Sequence, residues 1–185
     1  MLGSVDIDSL SLRGEKVGLR ARRTADGPVL TAELYDDVVV RSRTNANPWL
    51  PVSPDEDDLP FAVRKSTDGL AVFSVVELAS GELAGAAVLT NVDLHNRLGH
   101  IGLALRPGLR GRGLGTDTVR VLAEYGFSTR GLNRLQIGTL ADNHAMIRAA
   151  EAAGFTQEGL LRENAWVNGA FVDEVVLGRL SPLTH

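Results

Sequence analysis

The chain has no cysteine among its 185 residues. That absence excludes a disulfide scaffold, a thiolate metal site and a cysteine nucleophile together. It fits a reducing compartment, the cytoplasm. Aromatic residues are sparse, at 5% of the chain, and apolar runs are short. No stretch approaches the roughly 18 apolar residues of a membrane span. The opening "MLGSVDIDSLSLRGEK" has no long apolar run behind a basic start, so no signal peptide is expected. Positive charge is in deficit, with 19 Lys and Arg against 23 Asp and Glu, a net charge of −4. That balance argues against general nucleic-acid binding, so any basic site must be local. What is present suits one globular domain over residues 1–185, with 44% hydrophobic and 23% charged residues. A chain this long buries about 70% of its unfolded surface and needs no disulfide or metal staple.

Periodicity sets the expected order of elements. "KVGLRARR" (residues 16–23) alternates as a strand, and Thr24 or Asp26 is a candidate cap for the helix that follows. Residues 44–60 are rich in turn formers and read as a loop leading into a short helix. Their acidic run, Asp55, Glu56, Asp57 and Asp58, either opens that helix or forms a rim that attracts a cation. "LAVFSVVELASGELAGAAVLTNV" predicts a hairpin about Ala79-Ser80-Gly81-Glu82. "HIGLALR" (residues 100–106) is a strand ended by Pro107. Residues 114–129 are helical, with Val119, Leu122, Ala123, Gly126 and Phe127 on one face. "NRLQIGTL" (residues 133–140) is a strand, and "DNHAMIRAAEAAGF" a helix capped near Asp142 or Asn143 and stopped at Gly154. Two last strands flank Asn168-Gly169, a strong hairpin signal. The fold class is α/β: a mixed, mostly antiparallel central sheet flanked by helices, with a C-terminal β-hairpin. The strand–helix–strand over residues 100–140 should pair in parallel with a right-handed crossover.

"LRPGLRGRGLG" (residues 105–115) sets glycine and arginine between a strand and a helix. Helix-initial amides lack intrahelical partners and point outward, and the helix dipole adds partial positive charge. Glycine lets such a backbone approach an anion. A strand, a glycine-rich turn and a helix therefore bind phosphate. Two nucleotide signatures fail here. The P-loop lysine is missing, because Leu114-Gly115-Thr116 follows Gly113, and the last glycine of G-x-G-x-x-G is Thr116.

What remains, Arg110-Gly111-Arg112-Gly113-Leu114-Gly115, has the form R-x-x-G-x-G. It resembles the pyrophosphate loop of the GNAT N-acetyltransferases, which bind acetyl-CoA. "ADNHAMIRAAEAAGF" (residues 141–155) is similar to a later helix of that family, N-x-x-S-x-R-x-x-E-K-x-G-F, with Asn143, Arg148, Glu151, Gly154 and Phe155 in register. The terminal hairpin "EGLLRENAWVNGAFVDEVVLGRL" and the opening "VGLRARRTAD" resemble the RimJ/RimL-type branch, which acetylates protein N-termini. The likeness covers nearly the whole chain and is weakest over residues 35–68.

The resemblance implies a single GNAT domain with its cofactor-binding core at about residues 99–155. It implies acetyl-CoA as co-substrate, no metal, and an amine acceptor that is a protein N-terminus or a small molecule. With no cysteine, direct attack in a ternary complex is expected. A non-catalytic acyl-CoA-binding regulator is the alternative. Leu105, Arg106, Arg110, Gly111, Arg112, Gly113, Leu114, Gly115 and Thr116 would hold the cofactor, with an amide near Leu105 polarising the thioester carbonyl. Asn143 would bond the pantetheine or cap its helix. The branch carries a Glu where this chain has His100, an imidazole suited to taking a proton near neutrality. His100 is the candidate base, or else an ordinary strand-start histidine. His95 and His144 are weaker candidates. The serine that can protonate the thiolate is Met146 here, which has no proton to give. Trp49 and Trp166 are candidates to line the acceptor pocket. A homodimer through the sheet edge or terminal hairpin fits the branch. A nucleic-acid site at Arg106, Arg110 and Arg112 fits the net acidity poorly.

Overall fold

Alternating apolar side chains need two covered faces, and the helices supply the covers. The computed structural model describes residues 10–44, 48–53 and 60–182. The acidic run at residues 55–58, with the short helix expected there, lies outside them. In chain order the elements are β1 (Leu12–Arg13), β2 (Val17–Ala21), α1 (Asp26–Leu34), α2 (Val38–Thr44), β3 (Ala71–Glu77) and β4 (Leu83–Asp93). Then come β5 (Leu98–Leu105), α3 (Leu114–Glu124), β6 (Arg134–Leu140), α4 (His144–Ala152), β7 (Thr156–Val167) and β8 (Ala170–Leu180).

The strands form one sheet in the order β1-β2-β3-β4-β5-β6-β8-β7. Every pairing is antiparallel except β5 with β6, which the α3 crossover makes parallel. That is the expected sheet. One face carries Val75, Leu89, Ile101, Leu135, Ile137, Val175 and Leu177, packed with Leu114, Val119 and Leu122 of α3 and Ala150 of α4. The other face holds a smaller cluster of Leu30 and Leu34 from α1 against Ala86, with Ala104 beside them.

Besides the two-residue β1, which the sequence reading did not include, three features depart from it. Asp26 does not cap α1 from outside but is its first residue, because its carboxylate is taken by buried partners. It receives Arg20 Nη1 at 2.6 Å and Nη2 at 2.8 Å, Ser74 Oγ at 2.7 Å and the Arg23 amide at 2.8 Å. Residues 38–44 form a helix that the sequence reading did not include. Three consecutive valines favour strand, yet Asp37 Oδ1 accepts the Val39 and Val40 amides at 3.0 Å and starts the turn. The helix expected through residue 129 changes winding after Glu124. Residues Tyr125–Thr129 are a π turn, and the Arg130 amide reaches back to Tyr125 O at 3.0 Å. The wider turn keeps Gly126 and Phe127 buried, with Gly126 closely packed on Leu135.

Candidate active site

The parallel ladder between β5 and β6 is short. It runs from Leu98↔Arg134 through Gly99↔Leu135 to His100↔Gln136 and then ends. β5 continues paired to β4, and β6 continues paired to β8, so the sheet forks between them. At the end of β5 the Arg106 amide donates to Ala84 O at 2.9 Å. Antiparallel strands alternate their backbone direction. The amides of Leu103 and Leu105 therefore point away from β4, into the fork.

His100 stands at the vertex. Its side chain shares a face with Ala104, the α1 side of the sheet, whereas Ile101, Leu103 and Leu105 join the α3 side. It is half-buried. Burial, and then the Arg134 guanidinium, hold its imidazole below the usual histidine value. Arg134 is itself held by Glu158 in an ion pair, with Nη1 donating to Oε1 at 3.0 Å and Nη2 to Oε2. At physiological pH the imidazole is therefore neutral and able to accept a proton.

The glycine–arginine turn lies at the open end of β5. A short 3-10 turn, Pro107–Leu109, leads into it, and Gly111 and Gly113 sit at φ 77° and 82°. Such angles disfavour a side chain, and here they turn the amides outward. The first helical bond of α3 runs from the Asp117 amide to Gly113 O at 3.2 Å. The amides of residues 111–116 have no partner among the described residues. A run of free amides at the start of an 11-residue helix can bind an anion.

The cations around the turn do different things. Arg110 bonds the Leu105 carbonyl through Nε at 2.9 Å and has no carboxylate partner among the described residues. Arg112 is partly neutralised: Nη1 pairs with Glu77 Oε2 at 3.3 Å and Nη2 bonds Gly108 O at 2.9 Å. Arg106 turns away altogether. It pairs with Glu33 of α1 at 2.5 Å and Glu82 at 3.2 Å, joining α1 to the β4–β5 end. Lys16, which the sequence reading did not single out, places Nζ 3.1 Å from Arg112 O and 2.8 Å from where a Gly113 Cβ would stand. The Lys16 and Val17 amides donate to Asp117 Oδ2 at 2.7 and 2.9 Å, tying β2 to the first turn of α3. No sequence motif marks Lys16, because its approach depends on that long-range tie.

Asn143 caps α4. Its Oδ1 accepts the Met146 amide at 3.3 Å, and its Nδ2 donates to Thr139 Oγ1 at 3.0 Å. Met146 packs against the core, while His144 and Arg148 are exposed. Tyr125 is packed edge-on to Phe73. His95 is exposed in the β4–β5 turn. Trp166 is 61% exposed at the hairpin end, edge-on to Phe171, so it is not a core residue. The hairpin turn touches α2, where Ser42 Oγ donates to Asn168 Oδ1 at 2.9 Å. Trp49 leans on Tyr35 at 6.4 Å, its Nε1 buried without a partner among the described residues.

Residues 16–156 match the family described as the acetyltransferase (GNAT) domain. The chain belongs to the GNAT acetyltransferases. This GNAT enzyme is 28% identical over 164 residues to the uncharacterized N-acetyltransferase p20 of Bacillus licheniformis, covering 88% of this chain and 92% of that one. It is 30% identical over 152 residues to the putative ribosomal N-acetyltransferase YdaF of Bacillus subtilis strain 168, covering 78% and 82%. The RimL ribosomal L7/L12 alpha-N-protein acetyltransferase, solved in complex with coenzyme A, shares the fold with a TM-score of 0.76 at 19% identity. That match covers 92% of this chain and 97% of that one. The chain is thus an acyltransferase that moves an acetyl group to an amine.

Proposed function

We propose that the fork between β5 and β6 is the site of acetyl transfer from acetyl-CoA to a primary amine, with residues 99–155 as the cofactor-binding core. The observation that carries this reading is the run of unpartnered amides at residues 111–116, placed at the mouth of a fork lined by the amides of Leu103 and Leu105. The amides of Gly111, Arg112, Gly113, Leu114, Gly115 and Thr116 suit a pyrophosphate, with Arg110 and Lys16 supplying unspent positive charge. The Leu103 and Leu105 amides suit the pantetheine arm and the thioester carbonyl, whose oxygen gains negative charge as the amine attacks. Acetyl-CoA supplies the activated acyl group. Asn143 orients the start of α4 beside the pantetheine.

His100 acts as base, directly or through water. Its depressed pKa keeps it unprotonated, and an α-amine near 7.7–8.0 needs only modest help. Met146 has no proton to give, so the departing thiolate takes its proton from water or from another residue. Trp49, beside Tyr35, and Trp166, at the hairpin end, frame the approach of the acceptor. The acceptor is a protein N-terminal amine or a small-molecule amine. The enzyme works in the cytoplasm, as monomer or homodimer.

A thiol-release assay with acetyl-CoA against N-terminal peptides, polyamines and amine antibiotics tests this reading. Turnover on one class names the acceptor. In that assay His100→Gln is expected to lower kcat by roughly 10²–10⁴-fold and to remove the acid limb of the pH profile. An unaltered profile would remove His100 from the base role.

A further inference from the structure

Beyond the vertex, on the same side of the sheet as His100, the fork wall carries a second charged group. Gly138 lies in β6 two residues past Gln136, the last residue paired to β5, and it is exposed. The Glu174 side chain crosses from β8 and lies on it: a Cβ at position 138 would overlap Glu174 Oε1. A glycine in mid-strand weakens the strand, and here it makes room for a carboxylate flat against the sheet.

The other carboxylate oxygen is held. Asn164 Nδ2 donates to Glu174 Oε2 at 2.7 Å. Asn164 comes from a bulge in β7, where the register slips between Leu161 and Ala165 and Glu163 takes φ 53°. Bulges re-aim side chains, and this one turns an amide onto the carboxylate. Oε1 has no hydrogen bond among the described residues, and Glu174 has no cationic partner there. Of the neighbouring charged groups, Arg134 and Glu158 are spent on each other over Gln136 and Gly178, and Arg43 of α2 is spent on Asp142 just past β6. Glu174 is therefore oriented through Oε2, while Oε1 has no hydrogen-bond partner and the carboxylate no ion pair among the described residues.

We infer that Glu174, set over Gly138 and oriented by Asn164, is a specificity-determining carboxylate that holds a second positive charge on the amine acceptor while the reacting amine meets His100. Strand spacing and rise put the backbones of positions 100 and 138 at least about 8 Å apart. That separation suits a flexible acceptor with two nitrogens, one at each group. An acceptor with a single amine leaves the Glu174 charge unanswered. This inference rests on the fork being the transfer site.

The test is calorimetric titration of 1,4-diaminobutane and of n-butylamine into the protein–CoA complex, for wild type, Glu174→Gln and Gly138→Ala. CoA affinity is measured separately for each. The wild type is expected to bind the diamine at least about tenfold tighter than the monoamine, the scale of one charge-assisted hydrogen bond. Glu174→Gln removes the charge and keeps the shape. Gly138→Ala keeps the charge and pushes the carboxylate off its seat. Both are expected to abolish the preference with CoA affinity unchanged. Equal wild-type affinity for the two amines, or a preference that survives both substitutions, would overturn the inference. Failure of CoA to bind the wild type would count instead against the cofactor reading of the fork.

Discussion

Arg110 and Arg112 are equivalent in the sequence and distinct in the structure. Arg110 is free of carboxylates among the described residues, whereas Arg112 shares its charge with a nearly buried Glu77. Arg110→Glu is therefore expected to weaken CoA binding by at least about tenfold while leaving the unfolding midpoint in place. Arg112→Glu sets two carboxylates together and is expected to lower both affinity and stability, which denaturant melts beside calorimetry would separate. With His100 as the proposed base, Arg134 acts as a positioning residue for it. Its charge helps hold the imidazole pKa down, so Arg134→Gln should move the acid limb of kcat/KM to higher pH. A fixed limb would show that burial alone sets the value. The buried pair of Arg20 and Asp26 answers to stability rather than catalysis. Burial pushes the Asp26 pKa up, but the hydrogen bonds from Arg20, the Arg23 amide and Ser74 outweigh it and the net shift is downward. A carboxylate depressed in the fold contributes stability above its unfolded pKa. That contribution is lost as pH falls through the folded value, below 3.8. Asp26→Asn leaves Arg20 buried without its counter-charge and is expected to cost about 3–5 kcal/mol in urea unfolding near neutral pH. A cost under about 1 kcal/mol would show that water reaches the pair.

The elements differ in how openly the sequence announced them. α4 was legible at both ends, because Asn143 is a good cap and Gly154 takes φ 86° where a left-handed residue is needed. The Asn168-Gly169 turn was legible for the same reason, with φ 48° and 89°. α2 was not, because Val38, Val39 and Val40 carry strand propensity and the contacts that override it come from elsewhere in the fold. Ser42 bonds Asn168 and Arg43 pairs with Asp142 at 2.7 Å, both about a hundred or more residues away. Asp26 was misread because capping is local chemistry and its partner Arg20 is an unusual buried cation. The start of α3 was legible in form: glycines at positive φ precede the helix, and its first amides lack partners among the described residues. Its cost in strain can be measured. Gly113→Ala forces a side chain into the left-handed region, about 1–2 kcal/mol, and sets a methyl 2.8 Å from Lys16 Nζ. CoA affinity is expected to fall at least about tenfold, and a variant that binds CoA normally would show the αL geometry to be incidental.

At the scale of the molecule, the sheet is cut at the proposed transfer site. Strand alternation foretold the parallel β5–α3–β6 unit, and family likeness raised the expectation of a cofactor there. Neither foretold that pairing would stop at His100 and Gln136, because a ladder's length depends on which strands each edge prefers beyond that point. Nor could Glu174 be found in advance. It sits in an apolar strand, and only the sheet order β6-β8-β7 brings it onto Gly138 beside the fork. Residues that touch through sheet register at long range leave no local trace.

The account turns on the free amides of residues 111–116 receiving the cofactor. Amide hydrogen exchange of the protein with and without CoA reads them directly. The account predicts that CoA slows exchange at residues 111–116 and at Leu103 and Leu105, while β1 and β7 exchange as before. CoA binding that leaves residues 111–116 unprotected would contradict it.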